Sequence, residues 1–64
     1  MTEQERLRIR VKLAKVYNQD IYYKDFADYI DISINSFYNW LNGYYNLGSD
    51  KYKKLKSVID DLLD

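Results

Sequence analysis

The sequence predicts a small all-α domain of four to five helices. Its 64 residues contain no proline and only two glycines, so the residues that most often break helices are nearly absent. Apolar side chains recur at helical spacing in four stretches, and a capping residue or a turn signal separates each stretch from the next. At 7.8 kDa the chain makes one domain, residues 1–64. A domain of this size buries only ~60% of the surface its unfolded chain exposes. Eight tyrosines supply most of the 17% aromatic content, and each buries area while keeping a polar tip.

The first helix is predicted over about 3–17. Thr2-Glu3-Gln4-Glu5 reads as a capping box, with Thr2 as the N-cap and an acid three residues on. Two apolar stripes run along it. Leu7, Val11 and Ala14 form one, and Ile9, Leu13 and Val16 the other, with Tyr17 beside it and Arg6 and Arg10 between them. The first stripe is assigned to the core. The second is either covered by arginine stems or left as a partner surface. Asn18-Gln19-Asp20 reads as a turn.

The second helix is short, about 23–30, with Phe26, Ala27 and Ile30 on its apolar side. Asp25 near its start suits the helix dipole. Ser33 is the expected N-cap of a third helix, about 34–42, and Gly43 takes the stop position. Ile34, Phe37, Trp40 and Leu41 fall within one arc of that helix, and Asn35, Tyr38, Asn39 and Asn42 on the opposite one. Residues 44–48 form a loop. Ser49 is the expected cap of the last helix, about 50–63. Tyr52, Leu55, Ile59, Leu62 and Leu63 make its buried stripe, with Val58 at the edge and Lys51, Lys53, Lys54 and Lys56 along its first half.

Composition excludes several classes of function. Cysteine and histidine are both absent, so no disulfide, no zinc site of the usual ligands, no cysteine nucleophile and no histidine triad can form. No base and nucleophile can be paired in a pocket, and Asp25 with Asp28 reads as a helix-terminal charge feature. The expectation is therefore a binding protein and not an enzyme, with no cofactor, no metal and no small-molecule substrate. No apolar run can span a membrane and no signal-peptide pattern is visible, which predicts a cytoplasmic protein without a membrane partner.

The informative stretch runs from Ile21 to Gly43: short helix, tight turn, short helix, glycine stop. The layout is that of a helix-turn-helix, whose second helix can enter a DNA major groove. Ala27 supplies the small residue where the two helices cross, and Ile32 in the Asp31-Ile32-Ser33 turn plugs the core beneath. Tyr23 through Ser33, followed by Phe37-Tyr38-Asn39-Trp40-Leu41-Asn42-Gly43, resembles the Cro/CI-type helix-turn-helix of lambda repressor-like (XRE-like) domains. The likeness needs no gap from Ile21 to Leu47, and with the flanking helices it covers most of the chain. That family carries alanine at the site of Ala27, aliphatic and apolar residues at those of Ile32 and Phe37, and an ending like Trp40-Leu41-Asn42-Gly43. Two positions depart from it. Asp31 stands where the family usually has glycine, and aspartate tolerates left-handed backbone better than most residues. Ile34 stands where the family often has glutamine or threonine, and it cannot hydrogen-bond a base edge.

The resemblance implies double-stranded DNA as the partner. Asn35, Tyr38 and Asn39, with Ser36 at the flank, take the base-reading positions. Asparagine can pair with adenine N6 and N7, and tyrosine can pack on a thymine methyl, so the implied operator leans to A·T. Tyr23 and Asn42 match phosphate-contacting positions, and Tyr44, Tyr45, Asn46 and Lys51 lie where donors to phosphate often stand. The implied protein is a transcriptional repressor acting as a homodimer, with recognition helices about 34 Å apart. Ile9, Leu13 and Val16, or Val58 with the end of the last helix, are the candidate dimer surfaces.

Charge argues the other way. The chain has ten basic and ten acidic groups and no net charge. Residues 1–20 carry +2, but residues 21–49 carry only Lys24 against Asp25, Asp28 and Asp31, a net −2. Affinity for DNA comes largely from cations that neutralise phosphates, and the third helix has no arginine for guanine. The alternative is a phage-type inhibitor, such as an anti-CRISPR protein, that uses the same scaffold to bind a basic host protein. Its contacts would be Tyr22, Tyr23, Tyr38, Tyr44 and Tyr45, since tyrosine is a frequent hot-spot residue. The Tyr-, Asn-, Ile- and Lys-rich composition fits an A·T-rich bacterial or phage genome.

Overall fold

In a computed structural model describing residues 1–64, four helices and no strand account for the ordered backbone: α1 (Glu3–Tyr17), α2 (Tyr23–Tyr29), α3 (Ile34–Leu41) and α4 (Ser49–Leu63). Each boundary lies within one residue of the expected one. The all-α class stands, with four helices.

Most of the helix ends follow from local chemistry. The Thr2 hydroxyl accepts the Glu5 N–H at 3.2 Å, and the Glu5 carboxylate accepts the Thr2 N–H at 3.4 Å, which closes the capping box. At α2 the Asp25 carboxylate accepts the Tyr22 N–H at 2.8 Å. At α3 the Ser33 hydroxyl accepts the Ser36 N–H at 3.1 Å. The expectation at α4 is corrected: Gly48 is the N-cap, with no side-chain cap, and Ser49 is already helical. Gly48 has the extended backbone a cap requires, so the helix starts one residue earlier.

α2 and α3 end in the same motif. The Ile32 N–H reaches the Ala27 carbonyl at 3.0 Å and the Asp31 N–H reaches that of Asp28 at 3.2 Å. After α3, the Tyr44 N–H reaches the Asn39 carbonyl and the Gly43 N–H that of Trp40, both at 3.0 Å. These are Schellman pairings, which need left-handed backbone at the residue after the cap. Asp31 (φ 62°) and Gly43 (φ 86°) supply it. Asp31 thus occupies a position where glycine is the natural occupant.

A cation closes each of these ends. The Lys51 ammonium donates to the Ile30 carbonyl at 2.9 Å, and the Arg8 guanidinium donates to the Trp40 carbonyl. Positive charge suits a helix C-terminus, where the last carbonyls lack partners within the helix.

The core draws on every helix and on two residues between helices, Ile30 and Leu47. Leu7, Val11 and Ala14 of α1, Phe26 and Ala27 of α2, Ile30, Phe37, Trp40 and Leu41 around α3, Leu47, and Leu55 and Ile59 of α4 are all buried. Ile32, Tyr52, Val58, Leu62 and Leu63 pack partly buried against them. Val58 and the end of α4 are thereby largely committed to the fold. The loop residue Leu47, 6% exposed, joins the core although it belongs to no periodic stripe. The second stripe of α1 stays outside: Ile9, Leu13 and Val16 are 52, 41 and 62% exposed.

α1 packs on α4, and α2 on α3. The Asp60 carboxylate joins α1 to α4 by accepting from Arg10 at 2.8 Å and Lys56 at 2.7 Å. The Lys56 hydrogen bond, then that of Arg10, holds the Asp60 carboxyl below its ordinary range.

Candidate functional site

α3 positions the site because one of its faces is locked. Phe37 and Trp40 are fully buried, and the rings of Phe26, Phe37 and Trp40 form a continuous tilted stack with centroids 6.3 and 5.6 Å apart. Eight residues carrying three buried anchors have no freedom to roll, so the opposite face has a fixed orientation. Asn35, Tyr38, Asn39 and Asn42 are exposed on that face. Their side chains make no hydrogen bond within the protein, and α3 carries no formal charge.

A tyrosine borders this ridge on each side. Tyr23 of α2 meets Tyr38 edge to face, with ring centroids 5.9 Å apart, and its ring also lies 5.9 Å from that of Phe37. Burial, and then the neighbouring Tyr38 phenol, push the Tyr23 hydroxyl above its ordinary pKa. On the other side the Tyr45 hydroxyl donates to the Ser36 carbonyl at 3.0 Å. The result is an uncharged amide ridge between aromatic edges. It can offer paired amide donors and acceptors, phenol hydroxyls and flat aromatic surface.

Several residues expected to face a partner already have partners of their own. Ser36 is half-buried, and its hydroxyl accepts from Ser33 at 3.0 Å. Tyr45 holds the α3 backbone, and Asn46 Oδ1 accepts from Arg8 at 3.1 Å. Lys51 sits on the end of α2. These four act first as supports. Tyr44 is free, at 76% exposure. Asn35, Tyr38, Asn39 and Asn42, with Tyr23, are gathered on one surface.

Two residues of α1 that carry no expected role organise it. Gln4 Oε1 accepts from the Trp40 indole at 2.8 Å and from the Leu47 N–H at 3.0 Å, while its Nε2 donates to the Leu47 carbonyl at 3.2 Å. Arg8 Nη2 donates to the Tyr45 carbonyl at 2.8 Å, and its guanidinium lies 5.4 Å from the Trp40 ring centroid. A signal for Gln4 was present, since residues 4, 7, 11 and 14 form one helical stripe.

A groove of about 510 Å³ between α1 and α4 is lined by residues including Arg6, Arg10, Tyr52, Lys56 and Asp60. None of the expected site residues lines it. No three potential metal ligands converge anywhere, and no helix is long and apolar enough to cross a membrane.

The chain matches no family model, no curated protein and no solved structure in comparisons with all three.

Proposed function

We propose that this protein is a small sequence-specific DNA-binding regulator of the lambda repressor-like, Cro/CI type, in which α2 and α3 act as a helix-turn-helix and α3 enters the major groove. The observation that carries the reading is the fixed, uncharged ridge of Asn35, Tyr38 and Asn39, backed by the buried Phe37 and Trp40. Asparagine amides match the donor–acceptor pair on adenine, so the site leans to A·T. Tyr23, Asn42 and Tyr44 flank the ridge as donors to phosphate. With few cations nearby, one copy binds weakly, and two copies on half-sites about 34 Å apart supply useful affinity as an operator-occluding repressor.

Selection of bound sequences from a random duplex pool at low salt tests this. Enrichment of a palindromic A·T-leaning site is the expected result, and no enrichment would refute it.

A second reading has its own observation. Residues 21–49 carry a net −2, and of the tyrosines named for this reading Tyr22, Tyr38, Tyr44 and Tyr45 are 62, 46, 76 and 38% exposed, with Tyr23 half-buried. An acidic, tyrosine-rich segment suits a basic host protein, as for a phage-type inhibitor of the anti-CRISPR kind. Binding to such a protein that Tyr38→Ala abolishes, with no selected duplex, would favour this reading.

A further inference from the structure

Two side chains of α1, Gln4 and Arg8, touch both the end of α3 and the loop after it, and Arg8 is the one that reaches Tyr45 and Asn46. Its Nε donates to the Trp40 carbonyl, and its Nη2 donates to the Tyr45 carbonyl at 2.8 Å and to Asn46 Oδ1 at 3.1 Å. Its guanidinium carbon lies 5.4 Å from the Trp40 ring centroid. The loop it reaches has few other ties. Tyr44 is anchored through its N–H to the Asn39 carbonyl, Tyr45 through its hydroxyl to Ser36, and Leu47 through its backbone to Gln4. Without Arg8, the Tyr45 carbonyl and the Asn46 side chain lose the contacts that orient them.

We infer that Arg8 is a positioning residue: its guanidinium sets the conformation of Tyr44–Asn46 relative to α3, so that this loop and the Asn35–Asn39 ridge form one pre-arranged contact surface. The role rests on the DNA-binding reading above and gives the loop a place in it. Toward the loop it is a role for geometry, separate from the charge that Arg8 places at the end of α3. A guanidinium is a planar fork that can donate in several fixed directions and stack on a ring at once, whereas a lysine ammonium is a point charge on a flexible stem. Arg8 is accordingly spent inside the protein and is not a phosphate contact. Fixing the loop before binding removes the ordering cost that a mobile segment would incur on a duplex.

The test uses Arg8→Lys and Arg8→Ala in the full chain, with Lys12→Ala as a control for loss of one α1 charge. Amide hydrogen exchange is read at Tyr44 and Leu47, whose N–H groups are bonded to Asn39 and Gln4, and, as an internal reference, at core amides of α1 and α4. Loss of hydrogen bonds from a charged donor to the loop makes its local opening easier, which speeds exchange of these amides by roughly tenfold or more. The expected result is faster exchange of the loop, relative to the core amides, in both Arg8 variants and in neither wild type nor Lys12→Ala. Weaker binding to the selected duplex is expected in both Arg8 variants alike. Wild-type exchange in the loop of Arg8→Lys, or full duplex affinity in that variant, would overturn the inference and leave Arg8 a role of charge alone. A wild-type chain that binds no duplex removes the DNA-binding reading instead, and loop exchange then still decides whether Arg8 holds the segment.

Discussion

The indole N–H of Trp40 donates to the side-chain oxygen of Gln4 at 2.8 Å, joining two residues 36 positions apart. Trp40 is fully buried, so Gln4 is what satisfies its only polar side-chain atom. The same oxygen accepts from Leu47. One glutamine thus fixes α3 and the following loop against α1. Gln4→Ala leaves two donors without a partner and should cost about 1–3 kcal/mol of stability. Urea unfolding followed by tryptophan fluorescence reads this directly, and an unchanged midpoint would remove Gln4 from the framework.

Asp31 and Gly43 occupy equivalent places after α2 and α3, which makes opposite predictions for two substitutions. Left-handed backbone costs an L-residue ~1–2 kcal/mol. Asp31→Gly relieves that cost, less the extra chain entropy glycine brings, and should stabilise by about 0.5–1 kcal/mol. Gly43→Ala should destabilise by about 1–2 kcal/mol. A β-carbon at Gly43 would meet no atom within 4 Å, so any loss is conformational. The two thermal midpoints should move in opposite directions.

Stability should depend on pH through Tyr23 and Asp60, at opposite ends of the scale. Burial raises the Tyr23 phenol above its ordinary value of 10.0. Its contribution is therefore complete below pH 10.0 and is lost as pH climbs through the higher folded value. Tyr23→Phe should flatten the alkaline limb of a plot of thermal midpoint against pH. Lys56, then Arg10, lowers the Asp60 carboxyl below 3.8. Its contribution is present above that pH and is lost as pH falls through the folded value, and Asp60→Asn should remove that acid-side slope. Wild-type slopes in both variants would contradict the assignments.

Asn39 and Trp40 are adjacent in sequence and predicted to fail in different ways. Asn39→Ala should fold as the wild type does and lose ~1–3 kcal/mol of specific duplex binding, through a base contact. Trp40→Ala should lose ~3–5 kcal/mol of folding stability, through a cavity in the core. A melting curve and a duplex titration of each variant separate the two losses. A Trp40→Ala protein with wild-type stability would show that the aromatic stack does not support α3.

Local chemistry was legible in the chain. The Thr2 capping box, the Ser33 cap, the glycine stop after Leu41 and the division of α3 into Phe37-Trp40-Leu41 and Asn35-Tyr38-Asn39 all depend on residues within a few positions of one another. Spacing and side-chain chemistry alone encode such features, and so the all-α class and the helix limits could be read directly. The assignment of Leu7, Val11 and Ala14 to the core was of the same kind.

Only the tertiary structure decided which polar side chains are spent within the fold. Gln4 and Arg8 sit on a helix whose surface pattern reads as charged and exposed, and their partners Trp40, Tyr45, Asn46 and Leu47 lie 32 to 43 positions away. Lys51 reads as one of four exposed lysines until α4 brings it to the end of α2. Spacing puts Gln4 on the stripe of Leu7, Val11 and Ala14, but the identity of a distant hydrogen-bond partner leaves no periodic trace in a sequence. It depends on where two elements happen to dock, and docking is set by the summed burial of the core.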